Sequence, residues 1–302
     1  MDLDLRKLRY FVAVAEELHF GRAAELLHIA QPVLSRQIRS LEDDLGAEVF
    51  DRGRRGTQLT PAGRQLLEDA VPLLASSEAL IRRVQSAARG APTLTVGFMP
   101  GITLTPATVA FTARHPGVTV RLLRTTWFDQ VEVVRDGRAD LSVVRLPVDQ
   151  DGLRVRPLFR EPRVVMVPAG HPLADREWVT LADLAADHLL QDPDAVPGWR
   201  EVAEEFRGGR RPEVPVIHQV EEKLELVASG AGVCVIPLST ARFYTRPDVI
   251  PLRVRDIGPG EVALAWVATR RSRLVQDFAR AAQDTLADAH AVDRPREFRG
   301  QR

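Results

Sequence analysis

The chain of 302 residues lacks several features that particular classes of protein require. Its single cysteine excludes a disulfide framework and any zinc or iron–sulfur site that is built on cysteines. No apolar run approaches the ~20 residues needed to span a bilayer. The charged start, Met1 to Lys7, lacks the apolar core of a signal peptide. We therefore expect a soluble cytoplasmic protein with no membrane partner.

The chain also has no excess of charge of either sign, because it contains 41 basic and 41 acidic residues. Taken alone, this balance argues mildly against a nucleic-acid partner. However, basic residues that cluster on one face can still bind DNA, so their positions matter more than their total. Hydrophobic residues make up 45% and charged residues 27%, which is ordinary globular composition. At ~150 residues per domain the length predicts about two domains, in a chain of the α/β class overall.

The first 60 residues predict a helix-turn-helix followed by a wing. Apolar residues recur at spacings of three and four over 5–18 and 23–27, and again in a third helix that begins near Pro32 and ends at Gly46. The break before the third helix is short, as in a helix-turn-helix. Two β-prone pieces within 49–60 flank a tip of glycine and arginine, which predicts a hairpin with a basic tip.

Residues 61 to about 89 predict one long helix that links this part to the rest of the chain. Six of its residues step by four and three, which is a heptad seam: Leu66, Ala70, Leu73, Ser77, Leu80 and Val84. A seam indicates a partner helix in a second chain, although packing within the domain gives the same pattern. Pro72 is discordant, because a proline inside a helix removes a hydrogen bond.

Beyond a hinge at Arg89–Pro92 the pattern changes to strands that alternate with helices. This alternation predicts parallel sheets with covered faces, in two lobes with a crevice between them. We place the first lobe at about 91–161 and 265–290, the second at about 162–264, and a disordered tail at 291–302. The predicted strands are 94–98, 118–123, 141–144, 164–167, 214–217, 233–236 and 262–268. The predicted helices are 105–114, 128–136, 181–186, 198–206, 220–229 and 273–288.

Several spaced motifs resemble the LysR-type transcriptional regulators. In the family's order these are Phe11–Glu17, Arg22-Ala23-Ala24, the run AQPVLSRQIRSLEDDLG over Ala30–Gly46, Phe50-Asp51-Arg52 and Leu59–Gly63. The resemblance is dense over about 5–64. It continues more weakly to the end, through Asp136–Leu141, Glu161-Pro162, His171–Ala174 and Gly230–Pro237.

The resemblance implies a winged helix-turn-helix over 1–60, a linker and dimerisation helix over 61–90, and a two-lobed effector domain over 91–290 that is shaped like a periplasmic binding protein. It also implies a regulator that binds double-stranded promoter DNA and a small-molecule effector, and that forms dimers or tetramers of identical chains. A regulator at a promoter would also meet RNA polymerase. Within the family, this chain is most similar to the branch that responds to carboxylates from aromatic catabolism, such as muconate.

The start of the third helix is the expected reader of bases in the major groove. Glutamine can bond adenine and arginine can bond guanine, each through two hydrogen bonds. Arginines in the wing can enter a narrow minor groove, where the potential is negative. For several of these residues, above all Arg39, a solvated helix face is the alternative, and Arg52 can instead hold the wing. The predicted DNA-binding residues are Gln31, Pro32, Val33, Ser35, Arg36, Arg39, Arg52, Arg54 and Arg55.

The effector cleft should lie where strands end and helices begin, because backbone N–H groups there attract anions. Three turns meet this condition, and their small, hydroxyl-bearing or basic residues suit a carboxylate. The predicted effector-binding residues are Pro100, Gly101, Ile102, Thr103, Thr126, Trp127, Arg145 and Pro147. Gly101 stands where the muconate-sensing branch often has serine.

Arg145 directly follows the buried strand Leu141–Val144, at a position where the resemblance also has arginine. It can pair with a carboxylate of the effector in two hydrogen bonds. A structural salt bridge to an acid on a neighbouring element fits the sequence equally well. If Arg145 binds the effector, Arg145→Ala should abolish the ligand response and leave operator binding within several-fold of wild type.

No residues suggest catalysis, a metal site or a cofactor. The seven histidines are scattered without metal-like spacing, and no glycine-rich phosphate loop is present. Cys234 lies in an apolar run and is expected to be a buried, inert thiol. We expect a non-enzymatic regulator. The alternative is a solute-binding protein of an uptake system, which rests on the two-lobed half alone.

Overall fold

The computed structural model describes residues 3–53, 56–88, 90, 92–209, 217 and 219–290. The chain divides into two units, one of Met1–Gly90 with Arg135–Arg138 and the other of Ala91–Val134 with Ala139–Arg302. Four predictions fall outside the described residues: Arg54, Arg55, the strand over 214–216 and the tail 291–302.

The first unit begins with the three predicted helices. They are α1 (Leu5–Glu17), α2 (Phe20–Leu26) and α3 (Gln31–Leu45). The apolar stripes of these helices face one another, and their largest members are fully buried: Leu8, Phe11, Leu34, Ile38 and Leu41. The spacing of three and four places these side chains on one face of each helix, which is why the sequence alone locates the core.

The turn between α2 and α3 is tight. His28 adopts the left-handed conformation, with φ 54°, and the N–H of Ile29 donates to the carbonyl of Ala24 at 3.0 Å. Pro32 lies in the first turn of α3, where its missing N–H costs nothing. This turn holds the start of α3 at the surface of the unit.

The wing is the antiparallel hairpin of β1 (Phe50–Gly53) and β2 (Gly56–Leu59), which pair from Phe50 and Leu59 to Gly53 and Gly56. Glu42 on α3 fixes the base of the hairpin, because its Oε1 accepts the N–H groups of Val49 and Phe50 at 3.0 and 3.3 Å. The predicted winged helix-turn-helix is therefore confirmed.

The helix α4 (Pro61–Ala88) follows the wing directly. Thr60 caps its start, since the Thr60 hydroxyl accepts the N–H of Gly63 at 3.0 Å and donates to the carbonyl of Glu48 at 2.8 Å. A Cβ on Gly63 would lie 2.0 Å from the carbonyl oxygen of Val49. Only glycine therefore allows the helix to approach the hairpin this closely.

The heptad seam of α4 divides into two parts. Ala70 is buried in the core of the first unit and Leu66 packs partly against it, so this end of the seam is covered within the chain. In contrast, Leu73, Leu80 and Val84 are 43, 56 and 61% exposed. The helix continues through Pro72 without a break. None of the described helices has the length and apolar content to cross a bilayer.

The second unit holds two sheets, each the centre of one lobe. The first sheet has the strand order β4-β3-β5-β11-β6, and the second has the order β8-β10-β7-β9. The strands are β3 (Thr93–Phe98), β4 (Thr119–Arg124), β5 (Leu141–Arg145), β6 (Leu153–Glu161), β7 (Arg163–Pro168), β8 (Trp178–Val179), β9 (Cys234–Pro237), β10 (Val249–Val254) and β11 (Gly260–Val267).

Both sheets are mixed rather than parallel, which corrects the prediction. In the first sheet β3 is parallel to β4 and β5, but β11 is antiparallel to β5 and β6. In the second sheet β7 is antiparallel to both neighbours. The cause is that the chain passes twice between the lobes, so that strands from distant segments enter each sheet in the opposite direction.

The two crossings are Pro162, between β6 and β7, and residues 255–259, between β10 and β11. Because all of β11 belongs to the first sheet, the predicted second boundary at 264–265 is wrong and lies before Gly260. The helices of this unit are α5 (Thr105–Arg114), α6 (Glu132–Arg135), α7 (Trp199–Val202), α8 (Val220–Ala228), α9 (Leu238–Phe243) and α10 (Arg273–His290).

The sequence missed β6, β8, α9 and β10 and overstated several helices. The helix predicted over 128–136 is only α6, and the one near 181–186 is a single 3-10 turn over Ala182–Leu184. The helix near 198–206 is divided between α7 and a 3-10 turn over Glu204–Gly209. Short segments such as these take their conformation from packing, because their own helix propensity is too weak to decide it.

Candidate functional site

The predicted base-reading residues of α3 lie on the faces that its apolar stripe leaves open. Gln31, Pro32, Arg36 and Arg39 are exposed, and Val33 and Ser35 are half-buried. Leu34, Ile38 and Leu41 point into the core. The first turns of α3 therefore present a polar and basic surface on a helix that is held firmly from behind.

The N-terminus of α3 has no side-chain cap. Ala30 occupies the cap position and makes no side-chain hydrogen bond to the first turn. The positive end of the helix dipole suits a phosphate at this end. Acidic residues at the opposite end of α3 are engaged within the unit, since Glu42 holds the wing and Asp44 accepts from Lys7 at 2.5 Å.

Arg52 lies in β1 opposite Thr57 of β2. Arg54 and Arg55, which stand between β1 and β2 in the sequence, lie outside the described residues, so their role in the minor groove stays a prediction. The described register of the hairpin ends at the pair of Gly53 and Gly56.

A cleft of about 1430 Å³ opens between the two sheets of the second unit. Five of the eight predicted effector residues line it: Pro100, Thr126, Trp127, Arg145 and Pro147. They come from the ends of β3, β4 and β5. Those ends meet at one edge because the three strands are parallel.

The other three predicted residues, Gly101, Ile102 and Thr103, do not line the cleft. Ile102 is buried in the core of the first lobe, and Thr103 lies exposed outside the cleft. Gly101 has φ 84°, and a Cβ there would lie 2.6 Å from the N atom of Thr240 at the start of α9. The turn after β3 therefore packs against the second lobe, which explains why serine is excluded at this position.

Arg145 forms a buried ion pair with Glu161. Its Nε lies 3.0 Å from the Glu161 Oε1, and the two residues are only 5 and 4% exposed. Its Nη2 donates to the carbonyl of Pro100 at 3.2 Å and to the hydroxyl of Ser239 at 3.1 Å. Burial lowers the pKa of the Arg145 guanidinium, and the Glu161 carboxylate opposes this shift. The structural salt bridge left open by the sequence is thus present, at a residue that also lines the cleft.

Thr126 and its neighbours are held by local hydrogen bonds. The hydroxyl and the N–H of Thr126 both donate to Asp129 Oδ1, at 2.8 and 2.6 Å. The buried Gln130 side chain accepts the N–H of Arg145 at 2.8 Å, which joins this turn to β5. The first-lobe wall of the cleft is therefore fixed before any ligand arrives.

The sequence missed the wall that the second lobe contributes. Its residues come from β7, the edge strand β9, α7 with the loop before it, and α8 with the segment before it. They include Arg163, Gln191, Arg200, Ile217, Val220, Lys223, Val235 and Ile236. One signal was available, because Lys223 is one of only two lysines in the chain.

Basic side chains outnumber acidic ones in the cleft. The described lining residues include five basic and three acidic side chains, and the acids are Asp192, Asp194 and Glu261. Arg200 is paired with Asp194 at 2.6 Å. Within the described part of the chain, Arg163 donates to the carbonyls of Gly258 and Ala195, at 3.0 and 3.1 Å, and burial lowers the pKa of its guanidinium. The cleft is therefore suited to an anion.

A further polar bridge joins the two lobes beside the cleft. Arg124 at the end of β4 donates to Glu221 of α8 at 3.1 Å and to the hydroxyl of Tyr244 at 3.0 Å. The Tyr244 hydroxyl also donates to Glu221 at 3.0 Å. Exposed ion pairs of this kind contribute at most ~1 kcal/mol, so the bridge can open readily.

Two family models match the chain, and together they cover most of it. Residues 5–64 match the bacterial regulatory helix-turn-helix proteins of the lysR family, and residues 87–287 match the LysR substrate binding domain. The chain is 32% identical to the Hca operon transcriptional activator HcaR of Escherichia coli K12, over 96% of this chain and 100% of that protein. It is 33% identical to the transcriptional regulator BenM of Acinetobacter baylyi, over 89% and 90%.

Solved structures of LysR-family proteins share the same architecture. The regulator CbnR superposes with a TM-score of 0.69 at 26% identity, covering 95% of this chain and 100% of that one. Full-length CbnR in complex with its target DNA gives a TM-score of 0.64 at 27% identity, covering 93 and 99%. The winged helix-turn-helix and the two-lobed cleft thus occur together in known regulators, and this chain belongs to the LysR family of DNA-binding transcriptional regulators.

Proposed function

We propose that the protein reads a promoter through α3 and the wing and changes transcription when an organic acid occupies the cleft. The observation that carries the DNA-binding part is the exposed polar start of α3, which is held on a buried apolar stripe. Such a protein acts in the cytoplasm, where a bacterial promoter is found. A solute-binding protein for uptake does not bind DNA, so the exposed polar surface of α3 favours the regulator over this alternative.

The proposed base contacts follow from the chemistry of each side chain. Gln31 suits adenine and Arg36 suits guanine, each through two hydrogen bonds in the major groove. Pro32 and Val33 offer apolar contact to thymine methyl groups, and Ser35 suits a phosphate or a base edge. Further positive charge for phosphate or the minor groove would come from Arg39, Arg52, Arg54 and Arg55.

The proposed effector is a small organic carboxylate. The excess of basic residues in the cleft supports an anion, and apolar lining such as Leu146, Val235 and Ile236 supports a carbon skeleton. Pro100, Thr126, Trp127, Arg145 and Pro147 form the first-lobe wall of this site. Muconate-like dicarboxylates are the first class to test, on the resemblance to the aromatic-catabolism branch.

The proposed assembly is a dimer through α4, with a second pairing of the two-lobed units that makes a tetramer. The exposed seam residues Leu73, Leu80 and Val84 support the α4 pairing, because a strip of apolar side chains along a helix gains free energy when a second helix covers it. RNA polymerase is the further partner at the promoter. An effector that binds the closed lobes more tightly than the open ones would favour the closed arrangement. That change in the lobes would alter the spacing between the DNA-binding dimers.

A gel shift with the DNA that flanks the protein's own gene tests the DNA-binding part. Wild type should bind this DNA, and competitor DNA of unrelated sequence should not displace it. Absence of a shift would remove the DNA assignment and favour the solute-binding alternative. Calorimetry with muconate and related carboxylates tests the effector part, and no heat with any of them would remove the ligand class.

A further inference from the structure

Among the described residues of the cleft, Lys223 is the cation that has neither an acidic nor a carbonyl partner. It lies in α8, and Gln219, Val220 and Lys223 line the cleft together. Residues three and four apart share one face of a helix, so this face of α8 is turned toward the cleft. Each of the other basic residues that line the described cleft has a partner there. Three of them pair with a carboxylate: Arg145 with Glu161, Arg124 with Glu221 and Arg200 with Asp194. The fourth, Arg163, donates to two carbonyl oxygens.

Lys223 is half-buried in the wall of the cleft. Burial lowers the pKa of Lys223, and the group with which it interacts electrostatically is Cys234 of β9. Burial raises the pKa of the Cys234 thiol to about 12, so this thiol is neutral at pH 7 and gives the ammonium no counter-charge. Among the described residues no carboxylate takes that place.

An unpaired cation in such a place is costly to the folded protein. A buried charge without a partner destabilises the fold, and an apolar residue of similar shape is often better for stability. The chain otherwise uses arginine for its basic residues, with only Lys7 as the other lysine. A compact ammonium on a flexible stem can reach a single anionic group that arrives from outside.

The neighbours of Lys223 indicate the kind of anion. Cys234, with which it interacts electrostatically, is followed on β9 by Val235 and Ile236, and both line the cleft. Val220 precedes it by three residues on the same face of α8, and Ile217 lies close by in the chain and also lines the cleft. A ligand that reaches the ammonium must therefore place carbon against these side chains.

We propose that Lys223 anchors the carboxylate of the effector, and that the effector carries an apolar body which the second-lobe wall covers. This assignment rests on the proposed function, that the cleft binds an organic acid. The positive charge that binds the carboxylate is then that of Lys223 in the second-lobe wall. It is not that of Arg145, because Glu161 already neutralises Arg145. Arg145 then positions the turn after β3 and acts on the ligand only through the shape of the cleft.

Calorimetry on the full chain tests this assignment, with muconate, phenylacetate and the uncharged phenylacetamide as probes. Wild type should bind at least one of the acids more tightly than the amide. Lys223→Met should lose at least tenfold in affinity for the acid, equal to about 1.4 kcal/mol, and should bind the amide as wild type does. Lys223→Arg retains the charge and should keep most of the affinity.

Arg114→Met is the matched control, because it removes one exposed positive charge from the same unit outside the cleft. It should bind the acid as wild type does. Thermal unfolding without ligand gives a second readout, in which Lys223→Met should melt at or above the wild-type temperature. A lower melting temperature would mean that the ammonium has a stabilising partner, and would overturn the proposal.

The remaining outcomes separate this assignment from the proposed function. If wild type binds an acid and Lys223→Met binds it equally well, Lys223 is not the anchor, while the organic-acid effector stands. If wild type binds neither acid, both the effector class and the anchor fall.

Discussion

The buried pair of Arg145 and Glu161 should hold the two-lobed unit together. In Arg145→Met the Glu161 carboxylate, only 4% exposed, loses the guanidinium that lies 3.0 Å away. The carbonyl of Pro100 and the hydroxyl of Ser239 lose a donor as well. Removal of one partner from a buried pair costs about 3–5 kcal/mol, since the other charge stays buried and uncompensated. We expect a loss of stability in this range.

Urea unfolding followed by tryptophan fluorescence is the suitable assay. All four tryptophans, at positions 127, 178, 199 and 266, belong to the second unit, so the signal reports on that unit alone. Glu161→Met should cost a similar amount, because it leaves the guanidinium unpaired. The double variant Arg145→Met/Glu161→Met removes both charges and should be more stable than the sum of the single losses predicts.

Two results would refute this reasoning. A wild-type midpoint for Arg145→Met would show that the pair adds no stability and that the guanidinium is available to a ligand. Additive losses in the double variant would show that the two residues are not coupled. Operator binding should stay within several-fold of wild type in all three variants, because α3 lies in the other unit.

The remaining predictions concern the first unit. Gly63→Ala should lower the stability of the first unit by ~1–3 kcal/mol in thermal unfolding, because the new Cβ would lie 2.0 Å from the Val49 carbonyl oxygen. An unchanged melting temperature would mean that the helix and the wing can separate without cost. Leu80→Asp should dissociate the α4 dimer in light scattering, whereas Val71→Asp, which is 49% exposed against 56% for Leu80 but lies off the seam, should not; equal effects would argue against the seam. Arg36→Ala should weaken operator binding in a gel shift by ~1–3 kcal/mol and relax the preference at one base, and unchanged affinity would remove α3 from the major groove.

The sequence by itself determined the DNA-binding half of the molecule. The stripes that include Leu8, Phe11, Leu34 and Ile38 repeat at helical spacing, and each helix buries its stripe against neighbours that are close in the chain. Local patterns are sufficient here, because the turn, the wing and the start of α4 follow one another within about sixty residues. The short motif at Leu59–Gly63 also has a local cause, the close approach of Gly63 to the hairpin.

The cleft was predictable only on one side. Parallel strands β3, β4 and β5 end at a common edge, so Pro100, Thr126 and Arg145 could be placed together from the pattern of strands. Whether the side chains that follow a strand face the cleft or the protein depends on what packs above them. Gly101 and Ile102 turn inward because α9 of the second lobe covers that turn.

Only the tertiary structure decided which charges in the cleft are already neutralised. Arg145 and Glu161 are sixteen residues apart, and Lys223 shares the cleft with residues more than a hundred positions away, such as Pro100. Such distant pairings follow from the double passage of the chain between the lobes, which places β11 beside β5 and β9 at the edge of its sheet. The periodic pattern of apolar residues in the sequence does not identify these neighbours. The free energy of a buried charge depends on the groups around it in space and not on those beside it in the chain.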